Sequence, residues 1–321
     1  MQLARNVSGE LLLLFVERSI LAMAIITINL LVCVTIYLHK ELRCITNYLI
    51  VSLAVADLGV GALAIPFSMV LSMEYTLYFY TCLFLTCFPL VTTQFSILLL
   101  LVIAIHTHLK IKLSNRQVIY PLHVKKWVIF IVAFCWLLSL LIGLSPMMGW
   151  NRFQQYGETR NKTSAINLLS QFLVYFIFLI CTLLPLAAML GIYGNIFRVV
   201  RDHFRSQPLW PAKKKEMQMA CTLLLLVGVF FICWMPLHMI YCIQLLCPSC
   251  EQYEFLERLA VLLSHLNSLA NPLVYALRKK NLGLALRSVF LHRVLHWPSM
   301  KVCCGSSPKI HPQTEVRKHR S

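Results

Sequence analysis

The sequence predicts an all-α fold: a bundle of seven transmembrane helices, with a short amphipathic helix on the membrane surface after the seventh. Three observations predict it. Of the 321 residues, 59% are hydrophobic and 13% charged, against about 45–50% and about 25% in a typical soluble domain. The apolar residues collect in seven runs, each near or above the roughly 20 residues that a helix needs to cross a bilayer. The basic residues collect in alternate intervals between those runs, the pattern that orients a polytopic chain.

The runs are Ser19–Leu38, Tyr48–Met73, Tyr80–Ile105, Trp127–Met148, Gln171–Phe197, Met217–Leu246 and Phe255–Leu277. The length suits one polytopic domain better than two soluble ones. Residues 1–18 are then an extracellular N-terminus, 19–277 the bundle, 278–295 the juxtamembrane helix and 296–321 a cytoplasmic tail. Met1–Glu10 carries one basic residue and no small-residue cleavage site, so the first span is expected to act as its own insertion signal.

The formal net charge is +17, from 29 Lys and Arg against 12 Asp and Glu. Such a balance can signal nucleic-acid binding, but its distribution argues otherwise. With the N-terminus outside, 23 of the 29 basic residues fall on the inner side, and only Arg5, Arg18, Arg152, Arg160, Lys162 and Arg258 fall outside. That bias predicts a multi-pass protein of the plasma membrane with an extracellular N-terminus. It assigns the positive charge to topology and to anionic membrane lipid, with no nucleic-acid partner. Sequons at Asn6 and Asn161 share the outer side, where glycosylation occurs.

After the seventh span, Leu282, Leu286, Val289, Phe290 and Val294 recur at helical spacing, with Arg287 and Arg293 among them. This is the pattern of a helix lying on the inner leaflet. Cys303 and Cys304 follow it. They read either as palmitoylation sites or as unmodified tail cysteines. Of the 13 cysteines, those within apolar runs, such as Cys33, Cys135, Cys181 and Cys221, read as small buried hydrophobes. They form neither a disulfide framework nor a zinc site, and no metal centre is expected.

A charge at mid-membrane costs on the order of 2.5–3.5 kcal/mol on insertion scales, so one that persists has a role. Asp57 sits in the middle of the second span, and Asn29, Ser96, Asn267 and Asn271 lie at comparable depth in others. Together they read as an interior polar cluster that coordinates a cation such as sodium, or as an interhelical packing site. Pro66, Pro89, Pro146, Pro185, Pro236 and Pro272 each fall in a different span. They predict kinks, which serve as hinges or cavity openings, or are simply tolerated.

Read in order, Asn29, Leu53–Asp57, Trp136, Pro185, Tyr193, Cys233-Trp234-Met235-Pro236 and Asn271-Pro272-Leu273-Val274-Tyr275 resemble the signature of rhodopsin-like G-protein-coupled receptors, across residues 18–295. The stretches Gly143–Asn151, Thr81–Cys87, Trp234–His238 and Leu263–Ser268 look like those of adenosine receptors, nearest the A-three subtype. The resemblance implies a purine nucleoside, or a related small molecule, bound in the outer bundle, and signalling to a heterotrimeric G protein. Matched residue by residue, Thr93, Ser264 and His265 would contact the ribose, while Trp234, Leu237 and His238 would line the floor and wall. Asp57, Ser96, Asn267, Asn271 and Tyr275 would form the sodium and activation cluster. Cys247 and Cys250 look like the short bridge that some adenosine receptors carry. No cofactor is implied beyond an allosteric sodium ion.

Four departures stand out. The family's Asp-Arg-Tyr reads His106-Thr107-His108. Thr107 lacks a guanidinium fork, while its expected partner acid, Glu216, is retained. The family asparagine that bonds the adenine is Tyr241, whose phenol cannot make a two-pronged amide contact. The loop cysteine that would bond Cys82 is missing, with Ser170 near its place and Phe172 as the only candidate for the stacking phenylalanine that follows it. Arg18, with Glu17 beside it, replaces the family's first-span glutamate, and Pro89 stands where an aliphatic residue is usual.

Two functions therefore compete. One is a nucleoside-responsive receptor of altered preference. The other is a receptor-fold protein with weak or lost adenosine binding and coupling: an orphan, a heteromer partner or a diverged product. A transporter would need repeated half-structures or rows of intramembrane charge, and no catalytic set suggests an enzyme.

Overall fold

The computed structural model describes residues 2–72, 79–113, 124–148, 172–204, 211–247 and 254–291. Among these residues, seven helices are long and apolar enough to cross a membrane: Leu12–Leu38, Ile45–Leu71, Tyr80–Lys110, Lys126–Met148, Phe172–Arg198, Ala220–Leu246 and Phe255–Arg278. Each matches one expected run, and the all-α bundle is as the sequence predicts. The first helix begins earlier than its apolar run suggested, at Gln2. The run Leu11–Phe15 continues the helical pattern past Arg18, so no break falls at the expected start.

The bundle is inverted relative to a soluble protein. Large apolar side chains face outward, among them Trp127, Ile129 and Phe130 on the fourth span and Phe231 and Ile232 on the sixth. The polar side chains Asn29, Asp57, Ser96, Asn267 and Asn271 are buried instead. This is the arrangement that lipid demands, since polar groups there must find partners within the protein. The main core surrounds Phe95, Tyr193, Phe230 and Tyr275. Phe95 stacks on Trp136 at 4.1 Å, which ties the third span to the fourth. A Cβ on Gly143 would stand only 2.8 Å from the Val91 backbone nitrogen. Glycine there lets the same two helices approach backbone to backbone.

The prolines act in two ways. Pro66 follows a π-helical turn at Val60–Ala64, and Pro185 follows a π-helical stretch at Phe172–Leu183. A wider turn absorbs the missing donor and the ring clash that proline brings to an α-helix. Pro146 lies in a 3-10 turn at Ser145–Met148. Pro89, Pro236 and Pro272 lie inside continuous α-helices. At Pro89 the Thr92 and Thr93 hydroxyls both donate to the Pro89 carbonyl, at 2.9 and 2.8 Å.

A short helix, Lys280–Val289, turns off the seventh span and buries Leu282, Ala285, Leu286 and Val289. Leu284, Arg287 and Phe290 stay exposed on its outer face. Lys279 Nζ donates to Asn47 Oδ1 at 2.9 Å, and Gly283 lets the new helix pass close to the Ala276 carbonyl. The amphipathic helix read from the sequence is therefore present. Val294, Cys303 and Cys304 lie outside the described residues, as do Asn161, Ser170 and Cys250. The side chain of Asn6 is likewise outside them.

Candidate functional site

One cavity of about 550 Å³ opens among the helices near the end where the first span begins. That volume is within the range of small-molecule sites. Its walls follow helical periodicity. The second span contributes Val60, Ala64, Ser68 and Leu71; the third contributes Pro89, Thr93 and Ser96 with their neighbours; the sixth contributes Trp234, Leu237, His238 and Tyr241; and the seventh contributes Val261, Ser264, His265 and Ser268. Residues three and four apart share one helix face, so four short sequence patterns converge on one space. The π-helical turn and Pro66 sit beside this wall, between Val60 and Ser68.

All seven residues expected to hold a ligand, Thr93, Trp234, Leu237, His238, Tyr241, Ser264 and His265, line this cavity. Its surface is mostly apolar, with polar atoms at a few points. The Thr93 hydroxyl donates to the Pro89 carbonyl at 2.8 Å, and that of Ser264 donates to Val261 at 2.7 Å. Both oxygens keep acceptor capacity. Trp234 Nε1, both ring nitrogens of His238, His265 Nδ1 and Asn267 Oδ1 are buried with no hydrogen-bond partner among the described residues. Buried polar atoms in native proteins are nearly all paired. Such a cluster around one cavity is what a site for a polar, partly aromatic ligand requires. Phe178 stacks on His238 with centroids 4.7 Å apart, and Phe230 stacks on Trp234 at 5.9 Å. These contacts fix the two rings on the cavity floor.

Tyr241 is half-buried and packs against the cluster of Leu83, Cys87, Phe172, Leu173 and Ile177. Phe172 is buried there and stacks on Phe176 at 5.4 Å, while the neighbouring Leu173 reaches the cavity wall. Sequence reasoning missed Phe178, Ser68 and Glu257 as neighbours of the site. Glu257 could have been found, since it precedes Val261, Ser264 and His265 at helical spacing. Arg18 is also in the wall. It is buried, and its Nη1 donates to Ser68 Oγ at 3.1 Å.

Below the cavity lies a second polar group. Asp57 is 1% exposed, and its Oδ2 accepts a hydrogen bond from Asn271 Nδ2 at 2.9 Å. Asn29 Nδ2 donates to the Ile25 and Ser268 carbonyls, both at 3.0 Å. Ser96 and Asn267 face the cavity, while Asp57, Asn271 and Asn29 tie the second, seventh and first spans together. Tyr275 is buried in the core shared with Tyr193.

Toward the opposite end, Thr107 is buried and its hydroxyl donates to the Ile103 carbonyl at 2.8 Å. It is turned back on its own helix and offers no long cationic arm. Glu216 falls in the sixth-span helix, but its side chain lies outside the described residues. Cys82 sits as a buried thiol. Cys247 is disulfide-bonded.

The comparisons agree with this architecture. The family model described as the rhodopsin-family seven-transmembrane receptor matches residues 28–275. The human adenosine receptor A2a is 37% identical over 95% of this chain and 78% of its own length. The horse adenosine receptor A2a is 38% identical over 84% and 70%. The chicken adenosine receptor A2b is 39% identical over 81% and 82%. The likeness to the A-three subtype rests on sequence stretches alone. Members of this family are receptors and not enzymes. Seven membrane-length helices, the matched family model and relatives this similar have one common explanation: the chain is a multi-pass membrane protein that belongs to the rhodopsin family of seven-transmembrane receptors and, within it, resembles the adenosine receptors.

Proposed function

We propose that this protein is a G-protein-coupled receptor of the plasma membrane that binds a purine nucleoside, or a related small molecule, in the cavity between its third, sixth and seventh spans. The observation that carries this reading is the convergence on one cavity of Thr93, Trp234, Leu237, His238, Tyr241, Ser264 and His265. The buried nitrogens of Trp234, His238 and His265 that have no hydrogen-bond partner among the described residues support it. Ribose hydroxyls supply both donors and acceptors to such atoms, and a purine face suits the apolar wall. The charge bias of the intervals supports an N-terminus on the outside, with the cavity mouth toward the exterior. A heterotrimeric G protein would then meet the inner end, near Thr107 and Glu216. Cells displaying the receptor at their surface should change cAMP when given an adenosine-type agonist. Silence at saturating agonist, with surface display confirmed, would count against the signalling part of this reading.

Sodium is the proposed allosteric ion. Asp57 Oδ1 and the side-chain oxygens of Asn29 and Asn267 are buried without partners among the described residues, and oxygen donors suit a hard cation. Ser96 and Asn271 would complete the set. Agonist binding should weaken as sodium rises in the native receptor and become insensitive to sodium in Asp57→Asn. Equal sodium sensitivity in both would remove the ion from this site.

A further inference from the structure

Two polar side chains stand together in the outer part of the cavity wall, one on the sixth span and one on the seventh. Tyr241 and Glu257 both line the cavity, and both are half-buried. The charge of Glu257 acts on the Tyr241 phenol, and the two helices that carry them pack along each other. The Tyr241 ring packs against Leu83, Cys87, Phe172, Leu173 and Ile177, which positions its hydroxyl.

Helical rise sets their height in the wall. Glu257 lies seven residues before Ser264, and Tyr241 lies seven after Trp234. Each therefore stands about 10 Å nearer the mouth than the residue below it on the same helix. A nucleoside whose ribose meets Ser264 and His265 presents its base at the level of Tyr241 and Glu257.

A carboxylate offers two adjacent acceptors and no donor, and a phenol offers one rotatable O–H. Together they form a donor beside two acceptors. The complement is an edge with one acceptor beside two donors. Guanine has that edge: a carbonyl oxygen, the ring N–H next to it and the exocyclic amine. Adenine does not have it. Its amine stands between two bare ring nitrogens, so one carboxylate oxygen would face a ring lone pair. A desolvated acceptor left without a donor penalises binding, which is how polar sites reject a near-isostere.

We propose that Tyr241 and Glu257 make this receptor selective for 6-oxopurine nucleosides of the guanosine type. The Glu257 carboxylate accepts the ring N–H and the exocyclic amine, and the Tyr241 hydroxyl donates to the carbonyl. The proposal rests on the nucleoside reading above and names its ligand class.

The test uses the purified full chain with guanosine, inosine and adenosine as probes, read by calorimetric titration and by ligand-induced thermal stabilisation. Guanosine should bind the native protein about tenfold or more tightly than adenosine, the scale of one hydrogen bond to a charged group. Inosine, which keeps the carbonyl and the ring N–H but lacks the amine, should fall between them. Glu257→Gln keeps the shape and turns one acceptor into a donor. It should lower the guanosine-to-adenosine affinity ratio by about tenfold or more. Tyr241→Phe should weaken guanosine and inosine alike, by about three- to tenfold, and leave the ratio between them unchanged. Should a variant fold poorly, the native ranking of the three probes still decides. Adenosine binding the native protein as tightly as guanosine, an unchanged ratio in Glu257→Gln, or guanosine affinity untouched by Tyr241→Phe overturns the proposal and leaves the nucleoside reading standing. Binding of none of the probes to folded native protein overturns the nucleoside reading, and this proposal with it.

Discussion

Replacing Tyr241 with asparagine should raise affinity for adenosine by about 10–100-fold, the equivalent of one to two amide hydrogen bonds to a buried partner. Tyr241 lines the cavity and is half-buried. By the family resemblance it stands where an asparagine amide would bond the adenine edge. A carboxamide has both a donor pair and an acceptor, while a phenol has one rotatable O–H. The phenol also occupies volume, because its ring packs against the cluster of Leu83, Phe172 and Ile177. Asparagine therefore frees space for the base as it supplies the amide. The same exchange removes apolar packing and should lower thermal stability by about 1–3 kcal/mol, the range for truncating a partly buried aromatic residue. Competition binding and a melting curve on the same preparation separate the two effects. Unchanged adenosine affinity, with the expected loss of stability, would show that Tyr241 shapes the packing and not the recognition.

Thr107→Arg should create or strengthen coupling to a G protein. The threonine hydroxyl is satisfied by the Ile103 carbonyl at 2.8 Å, so the native side chain ends at its own helix. An arginine there would project a guanidinium beyond the helix end. By the family pattern it would bond an acid such as Glu216 in the inactive state and the G protein in the active one. A charge-assisted hydrogen bond contributes about 1.5–3 kcal/mol, which corresponds to about 10–100-fold in the coupling equilibrium. Agonist-stimulated nucleotide exchange on purified G protein reads this directly. The gain should require agonist, and combining Thr107→Arg with Glu216→Gln should raise basal exchange. No change in exchange, at matched surface expression, would show that coupling does not depend on an arginine at this position.

The bundle could be read from the sequence because the bilayer imposes a coarse rule. Seven apolar runs became seven membrane-length helices, and Pro66 and Pro185 marked where two of them depart from regular α-helix. The cavity-lining residues were legible for a different reason. Trp234, His238, Ser264 and His265 recur in a recognisable order, and helical spacing placed each set on one face. The extent of the first helix was less legible. The apolar run begins at Ser19, which put residues 1–18 outside the bundle, yet the helix starts at Gln2. Arg18 stood in the sequence as an odd substitution at the edge of a span. Only its hydrogen bond to Ser68 and its place in the cavity wall showed that this side chain turns inward. The stacking of Phe178 on His238 was likewise hidden. The π-helical stretch of the fifth span rotates its side chains away from the faces that regular spacing predicts.

These residues describe a receptor frame whose proposed ligand end brings Thr93, Trp234, His238, Ser264 and His265 together, with Tyr241 in the same wall. The inner end has lost one long cationic arm. The convergence of Trp234, His238, Ser264 and His265 on one cavity is the ground for proposing a binding-competent receptor with changed ligand preference.

Saturation binding of radiolabelled purine nucleosides to membranes with verified surface display tests that account most directly, with His265→Ala as the paired control. The account predicts saturable binding to the native receptor, displaced by unlabelled nucleoside, and weakened about tenfold or more in His265→Ala, which removes a buried hydrogen-bonding partner of the ligand. No saturable binding to the native receptor, or binding that His265→Ala leaves unchanged, would contradict it.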